Sequence, residues 1–184
     1  MSGGIWLDNW RGLRNGYLLS GTYRDTLTQA FDTNGRHAAC NVSYTATPLD
    51  LAYQGYSSSN TKRLFVRFGQ SDTTPSASDY NLGDPVTTGL SYISVSNGGI
   101  QINGDTASRT YRVTVQNTAA ASVTLREFGL FVYCNYVSGE SGYSNYCMIY
   151  REVLDTPVTL AQYETATITF TVSLTLGDPV PGVS

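Results

Sequence analysis

One histidine, His37, is the whole imidazole complement of this 184-residue chain. Any Ser-His-Asp or Cys-His device would have to use it. It stands between Arg36 and Ala38-Ala39, at the expected mouth of a strand, and no serine lies in a nucleophile-elbow context, so a structural role is expected. Cys40, Cys134 and Cys147 have no close metal-ligand spacing, and together with a single His they are poor material for zinc. Their odd number argues against a complete disulfide framework. Three reduced, partly buried thiols are expected, although a hairpin centred near Glu140-Ser141 would set Cys134 opposite Cys147. Two carboxylates, Glu127 and Glu152, fall on the two arms of that hairpin and could flank a glycosidic bond. Each follows or adjoins an arginine, Arg126 and Arg151, and a cross-strand charge ladder is the favoured account. Asp72, Asp79 and Asp84 punctuate one loop and could hold calcium, but their irregular spacing suits Asx turns better. No catalytic, cofactor or metal site is expected.

The composition restricts the partners. Hydrophobic residues make up 41% of the chain, enough for a core, while charged residues make up 14%, well below the roughly 25% of an ordinary globular domain. The polar surface is therefore mostly Ser, Thr, Asn and Gln. Net charge is −3, which disfavours nucleic-acid binding, because phosphate neutralisation needs clustered Lys and Arg. The two densest basic groups, Arg11 with Arg14 and Lys62 with Arg63 and Arg67, are expected to be solvated. Residues 1–20 carry no apolar stretch of signal-peptide length, and no run approaches a membrane span. The chain is expected to be made in a cytoplasm, with no membrane partner.

The elements that would carry these residues are strands. From Thr165 onward, Ala166, Ile168, Phe170, Val172, Leu174 and Leu176 alternate with Thr165, Thr167, Thr169, Thr171, Ser173 and Thr175. Successive side chains of a strand point oppositely, so this is one strand with an apolar inner face. Tyr111, Val113 and Val115 alternate with Thr110, Arg112 and Thr114 in the same way, and residues 63–68, 90–95 and 123–125 read alike. Glu127 to Cys134 and Tyr146 to Leu154 form the arms of the long hairpin. Asn97-Gly98 and Asn103-Gly104 are each expected to be tight hairpin turns. Short strands with turn residues between them predict an all-β, antiparallel β-sandwich, Ig-like or jelly-roll-like.

Residues 1–35 lack this alternation. They are expected to form an irregular N-terminal arm, followed by the sandwich over 36–176 and a tail over 177–184; a loop-like break falls within residues 49–61. Leu19, Tyr23, Leu27 and Phe31 have a helix-like spacing of four that Gly21 weakens. Trp6, Trp10, Tyr17 and Tyr23 are the candidate anchors by which the arm docks on another subunit. Tyr136 and Tyr143, in the Gly/Ser/Asn-rich loop of the long hairpin, are further candidate contacts, for protein or for sugar.

Two stretches carry a resemblance. One runs Phe65-Val66-Arg67-Phe68-Gly69-Gln70-Ser71-Asp72-Thr73-Thr74-Pro75-Ser76-Ala77-Ser78-Asp79-Tyr80-Asn81-Leu82. The other is Arg126-Glu127-Phe128-Gly129-Leu130-Phe131-Val132, then Ile149-Tyr150-Arg151-Glu152-Val153-Leu154-Asp155-Thr156-Pro157-Val158-Thr159-Leu160 and the Thr-rich last strand. Over residues 63–176 the chain resembles small β-sandwich structural proteins of tailed-bacteriophage virions, of head-decoration, fibre, neck or tail-accessory type. It departs from them at Ala161-Gln162-Tyr163-Glu164, where a Pro-Gly turn is expected. The resemblance implies a non-enzymatic virion component, a homo-oligomer binding other virion structural proteins and localised to the virion. The alternative is a glycan- or receptor-binding module of a tail or head fibre, recognising host-surface glycan.

Overall fold

A computed structural model of the chain describes residues 4–6, 30–31, 33–34, 37–38, 51–53, 64–135 and 144–175. These residues contain no helix. The strands are β1 (Ile5–Trp6), β2 (Ala30–Phe31), β3 (His37–Ala38), β4 (Leu51–Tyr53), β5 (Leu64–Gly69), β6 (Leu90–Asn103), β7 (Thr106–Asn117), β8 (Val123–Asn135), β9 (Ser144–Leu160) and β10 (Thr165–Thr175). A five-stranded sheet in the order β1-β9-β8-β5-β4 packs against a three-stranded sheet in the order β10-β7-β6, and β2 pairs with β3. All pairings are antiparallel except the parallel β4–β5 contact. The molecule is an all-β sandwich, as the alternation predicts.

The alternating residues build its core. Tyr111, Val113 and Val115 of β7 and Ile168, Phe170 and Val172 of β10 face Val66, Phe68, Phe128, Leu130 and Ile149 of the opposite sheet. Phe170 lies at the centre, with ring centroids 4.1 Å from Phe128 and 5.5 Å from Tyr111. A smaller cluster of Phe65, Leu82, Phe131 and Met148 lies on the other face of the five-stranded sheet. That face is therefore covered, by the segment that links β5 to β6.

Several local expectations are corrected. Asn103-Gly104 marks a hairpin turn, but Asn97-Gly98 does not: β6 continues through it with a shift of register between Asn97 and Ile100. The irregularity strands the Gly98 carbonyl, and the Arg109 Nε–H donates to it at 2.9 Å, so a bulge with a cross-strand partner replaces the turn. The long hairpin sets Val132 opposite Cys147 and Cys134 opposite Asn145. It is centred one residue earlier than its loop composition suggests. Cys147 is nevertheless disulfide-bonded, which overturns the expectation of free thiols. That expectation rested on the odd cysteine count and on a reducing cytoplasm, which it set above the approach of Cys134 to Cys147; Cys147 itself is fully buried. Phe31, expected on a helix-like stripe, belongs to strand β2.

One end of the sandwich is closed by a buried amide. Asn117 is fully buried. Its Nδ2 donates to the carbonyls of Ala121 and Leu160, and its Oδ1 accepts from the Ala119 N–H. Its own carbonyl accepts from the Tyr163 N–H at 2.7 Å. The β7–β8 and β9–β10 turns are thereby tied to each other. In the second turn Tyr163 adopts φ 63°, the left-handed conformation that a glycine would take more easily. The resemblance leads one to expect a glycine turn there, and the network around Asn117 holds the tyrosine in that geometry instead.

Truncating the central ring tests this core. Phe170→Ala should lower the unfolding free energy by roughly 3–5 kcal/mol, read from denaturant melts. A loss under about 1 kcal/mol would place Phe170 outside a close-packed core.

Candidate interaction site

Two of the residues flagged for chemistry, Glu127 and Asp79, meet with Arg151 in a buried ionic cluster. Glu127 enters on β8 and Arg151 on β9, two positions apart in register because Arg151 lies opposite Gly129. Arg151 Nε donates to Glu127 Oε2 at 2.7 Å, Nη1 to Asp79 Oδ2 at 2.6 Å, and Nη2 to the Thr73 carbonyl at 3.1 Å. Glu127 also accepts from the backbone N–H groups of Gly83 and Asp84. Its side chain is fully buried and that of Arg151 nearly so. Burial opposes the Arg151 charge, but bonds to Asp79 and Glu127 overcome it and hold the guanidinium above its ordinary value.

Small residues make the space. A side chain at Gly69 would strike Glu127 and the Asp84 carbonyl, and one at Gly129 would strike Met148, Leu82 and Phe131. Leu82 thus drops into a notch in the middle of β8, and the cluster latches the rest of its segment down. Asp79 also accepts from the backbone N–H of Ser76, three residues earlier, so its carboxylate braces a turn but not as the expected Asx turn, which would bond two residues further on. Among the described residues no group of three His, Cys, Asp or Glu side chains is placed to hold a metal.

This arrangement separates the two glutamates. Glu127 lies opposite Val153 and Glu152 opposite Phe128, so the carboxylates point to opposite faces of the sheet. Both Glu127 oxygens are occupied by protein donors, and the pair does not form one site. The ladder reading holds for Glu127 with Arg151; Glu152 instead accepts from the Tyr150 hydroxyl at 2.6 Å.

Glu152 faces a cleft of about 620 Å³ on one side of the sandwich, with Phe128, Tyr150, Asp155, Thr169 and Phe170 among its lining. Register slips between Leu125 and Glu127, throwing residues 154–157 of β9 out of regular pairing, with Pro157 at the bulge where it costs no ladder bond. Gly4 closes one end. Its N–H reaches Glu152, and any side chain there would collide with Tyr150 and Glu152. Ile5 and Trp6 then pair with Arg151 and Tyr150. Burial raises the Glu152 carboxyl above its ordinary value against its bonds from Tyr150 and Gly4. Burial, and after it the Glu152 carboxylate, pushes the Tyr150 hydroxyl far up.

Of the candidate contact residues, Trp6 lies in β1, on the chain's own sheet. Trp10, Tyr17, Tyr23, Tyr136 and Tyr143 lie outside the described residues, as do Arg11, Arg14, Lys62 and Arg63. His37 falls in β3, opposite Phe31. Arg67 is not the solvated charge expected. It lies opposite Gly129, with its guanidinium 4.9 Å from the Phe131 ring centre and 4.5 Å from that of Tyr146. Burial lowers its pKa, and its Nε is buried without a hydrogen-bond partner. Exposed Tyr163, at 66%, and Ile102, at 77%, are surface features that the alternation did not single out. The only prior signal for Tyr163 was the missing Pro-Gly turn.

Two measurements probe these sites. Arg151→Met or Glu127→Gln alone should destabilise the fold by roughly 3–5 kcal/mol, since each strands a buried charge, whereas joint apolar replacement should cost much less. For Glu152, the folded pKa lies above the unfolded one. The folded chain therefore keeps a proton that the unfolded chain releases above about pH 4.3, and stability falls as pH rises through that window. Glu152→Gln should abolish this slope in melts recorded from about pH 4 to about pH 7; an identical slope in the variant would assign it to another group.

The chain matches no protein-family model, no curated protein and no solved structure, so its function has to be read from these residues and contacts.

Proposed function

We propose that this chain is a non-enzymatic structural component of a tailed-bacteriophage virion, assembling with other virion proteins through the surfaces of its β-sandwich and its N-terminal segment. The observation that carries the reading is the buried cluster of Asp79, Glu127 and Arg151. All three residues come from the two stretches that resemble virion β-sandwich proteins, and they are separated by 72 and 24 positions. The cluster makes those stretches one unit in space, which is more than two pieces of common β-strand pattern would do. The low charge content supports the same reading, since charged residues are depleted from the cores of protein–protein interfaces.

The test is the native mass of the purified full-length chain, alone and with particle fractions from the cells that make it. Assembly into a symmetric ring or shell, or co-sedimentation with virions, is the expected result. A chain that stays monomeric and never associates with particles would overturn the proposal. Selective binding on a glycan array without such assembly would favour a fibre-type receptor module instead.

A further inference from the structure

Arg67 and Arg151 occupy one row of the five-stranded sheet. Each lies directly opposite Gly129, the first on β5 and the second on β9. Opposed residues share a face of a sheet, so both arginines stand on the outer face, where Leu82 drops against Gly129. Their surroundings differ. Arg151 has an acceptor for each nitrogen: Glu127 for Nε, Asp79 for Nη1 and the Thr73 carbonyl for Nη2. Arg67 has rings instead. Its guanidinium is held beside Phe131 and Tyr146, and Phe65 fixes the Tyr146 ring edge-on at 5.2 Å. Among the described residues none gives Arg67 a hydrogen bond or a carboxylate, and its Nε is buried without an acceptor.

Ring contacts do not complete an arginine. An aromatic ring attracts the cation through its face, whereas the N–H groups of a guanidinium lie in its own plane and need acceptors there. Burial accordingly disfavours the Arg67 charge. The side chain is only partly buried, so its terminal nitrogens, unlike Nε, are within reach of a ligand.

We propose that Arg67 is a binding site for a carboxylate, which docks in the guanidinium plane on the terminal nitrogens while Phe131 and Tyr146 hold that plane in place. The ligand class is argued from the arginine across Gly129. On this face the chain completes a guanidinium with carboxylates, those of Glu127 and Asp79. A carboxylate is planar, takes parallel N–H bonds from the guanidinium fork and pairs its charge. A neutral acceptor would fill the N–H groups and leave the charge unpaired.

The site goes beyond the assembly reading and does not depend on it. The carboxylate can belong to a free organic acid or to an acidic side chain, and the test separates these sources. Sodium acetate and a capped Gly-Glu-Gly peptide are titrated into the full-length chain, with ionic strength held constant by sodium chloride. NMR signals of the Arg67 Nε–H and the Tyr146 ring report binding and locate it without any variant. Saturable shifts with both ligands are expected. Saturation by one alone supports the site and assigns it to that source. Arg67→Met should weaken binding roughly ten-fold or more, the loss of one charge-assisted pair. Arg67→Lys keeps the charge without the planar fork and should recover only part of the affinity. No saturable shift at Arg67 in the wild type, or undiminished binding by a folded Arg67→Met chain, would overturn the inference. Saturation by inorganic phosphate but by neither carboxylate would overturn the ligand class.

Discussion

The hydrogen-bonded pair of Arg151 and Glu127 governs the arrangement of the molecule. A carboxylate with no exposure is tolerable only if its oxygens are filled, and here the guanidinium and two backbone N–H groups fill them. Those N–H groups belong to the segment between β5 and β6, so the condition for burying the charge is also the condition for docking that segment. Buried ion pairs add little net stability over well-packed apolar groups. What this one adds is position: a single placement of residues 70–84 satisfies the arginine, the glutamate, Asp79 and the Leu82 notch together. An all-apolar contact would tolerate several.

Docking that segment makes the two sheets unlike. The outer face of the five-stranded sheet is covered and bears a second apolar cluster. None of the other described strands covers the outer face of the three-stranded sheet, and hydroxyls line it on β7 and β10. The cleft lies on the side where the edges of β9 and β10 come together, with Glu152 and Tyr150 at one end and the N-terminal strand seated over them.

Strand β10 was legible almost to the residue, because one face is wholly apolar and the other wholly hydroxyl, and a slip of one would invert both. The arms of the β8–β9 hairpin were legible for the same reason. Its register was not, because bulges at Ile149 and over residues 154–157 change the count on one arm only. Asn97-Gly98 misled, because turn propensity is local and β7 offered a continuous ladder. The carboxylates were recognised as a pair with arginines nearby, but not Asp79 as the third member, since no local pattern links positions 79 and 151. Arg67 read as surface charge because it was grouped with Lys62 and Arg63, although its immediate neighbours Val66 and Phe68 are apolar and its neighbours in space are two rings.

The ionic cluster also orders the events of folding. Glu127 and Arg151 sit on adjacent arms of one hairpin, so their meeting needs only a local closure. Asp79 must come from 72 positions away, and until it and the N–H groups of Gly83 and Asp84 arrive, two charges face outward from a sheet whose other face is already apolar. Entropy of loop closure sets that docking late and the hairpin early. The charges stay hydrated through the first stage and are sealed in the last, so the segment between β5 and β6 acts as the closing lid of the folding reaction.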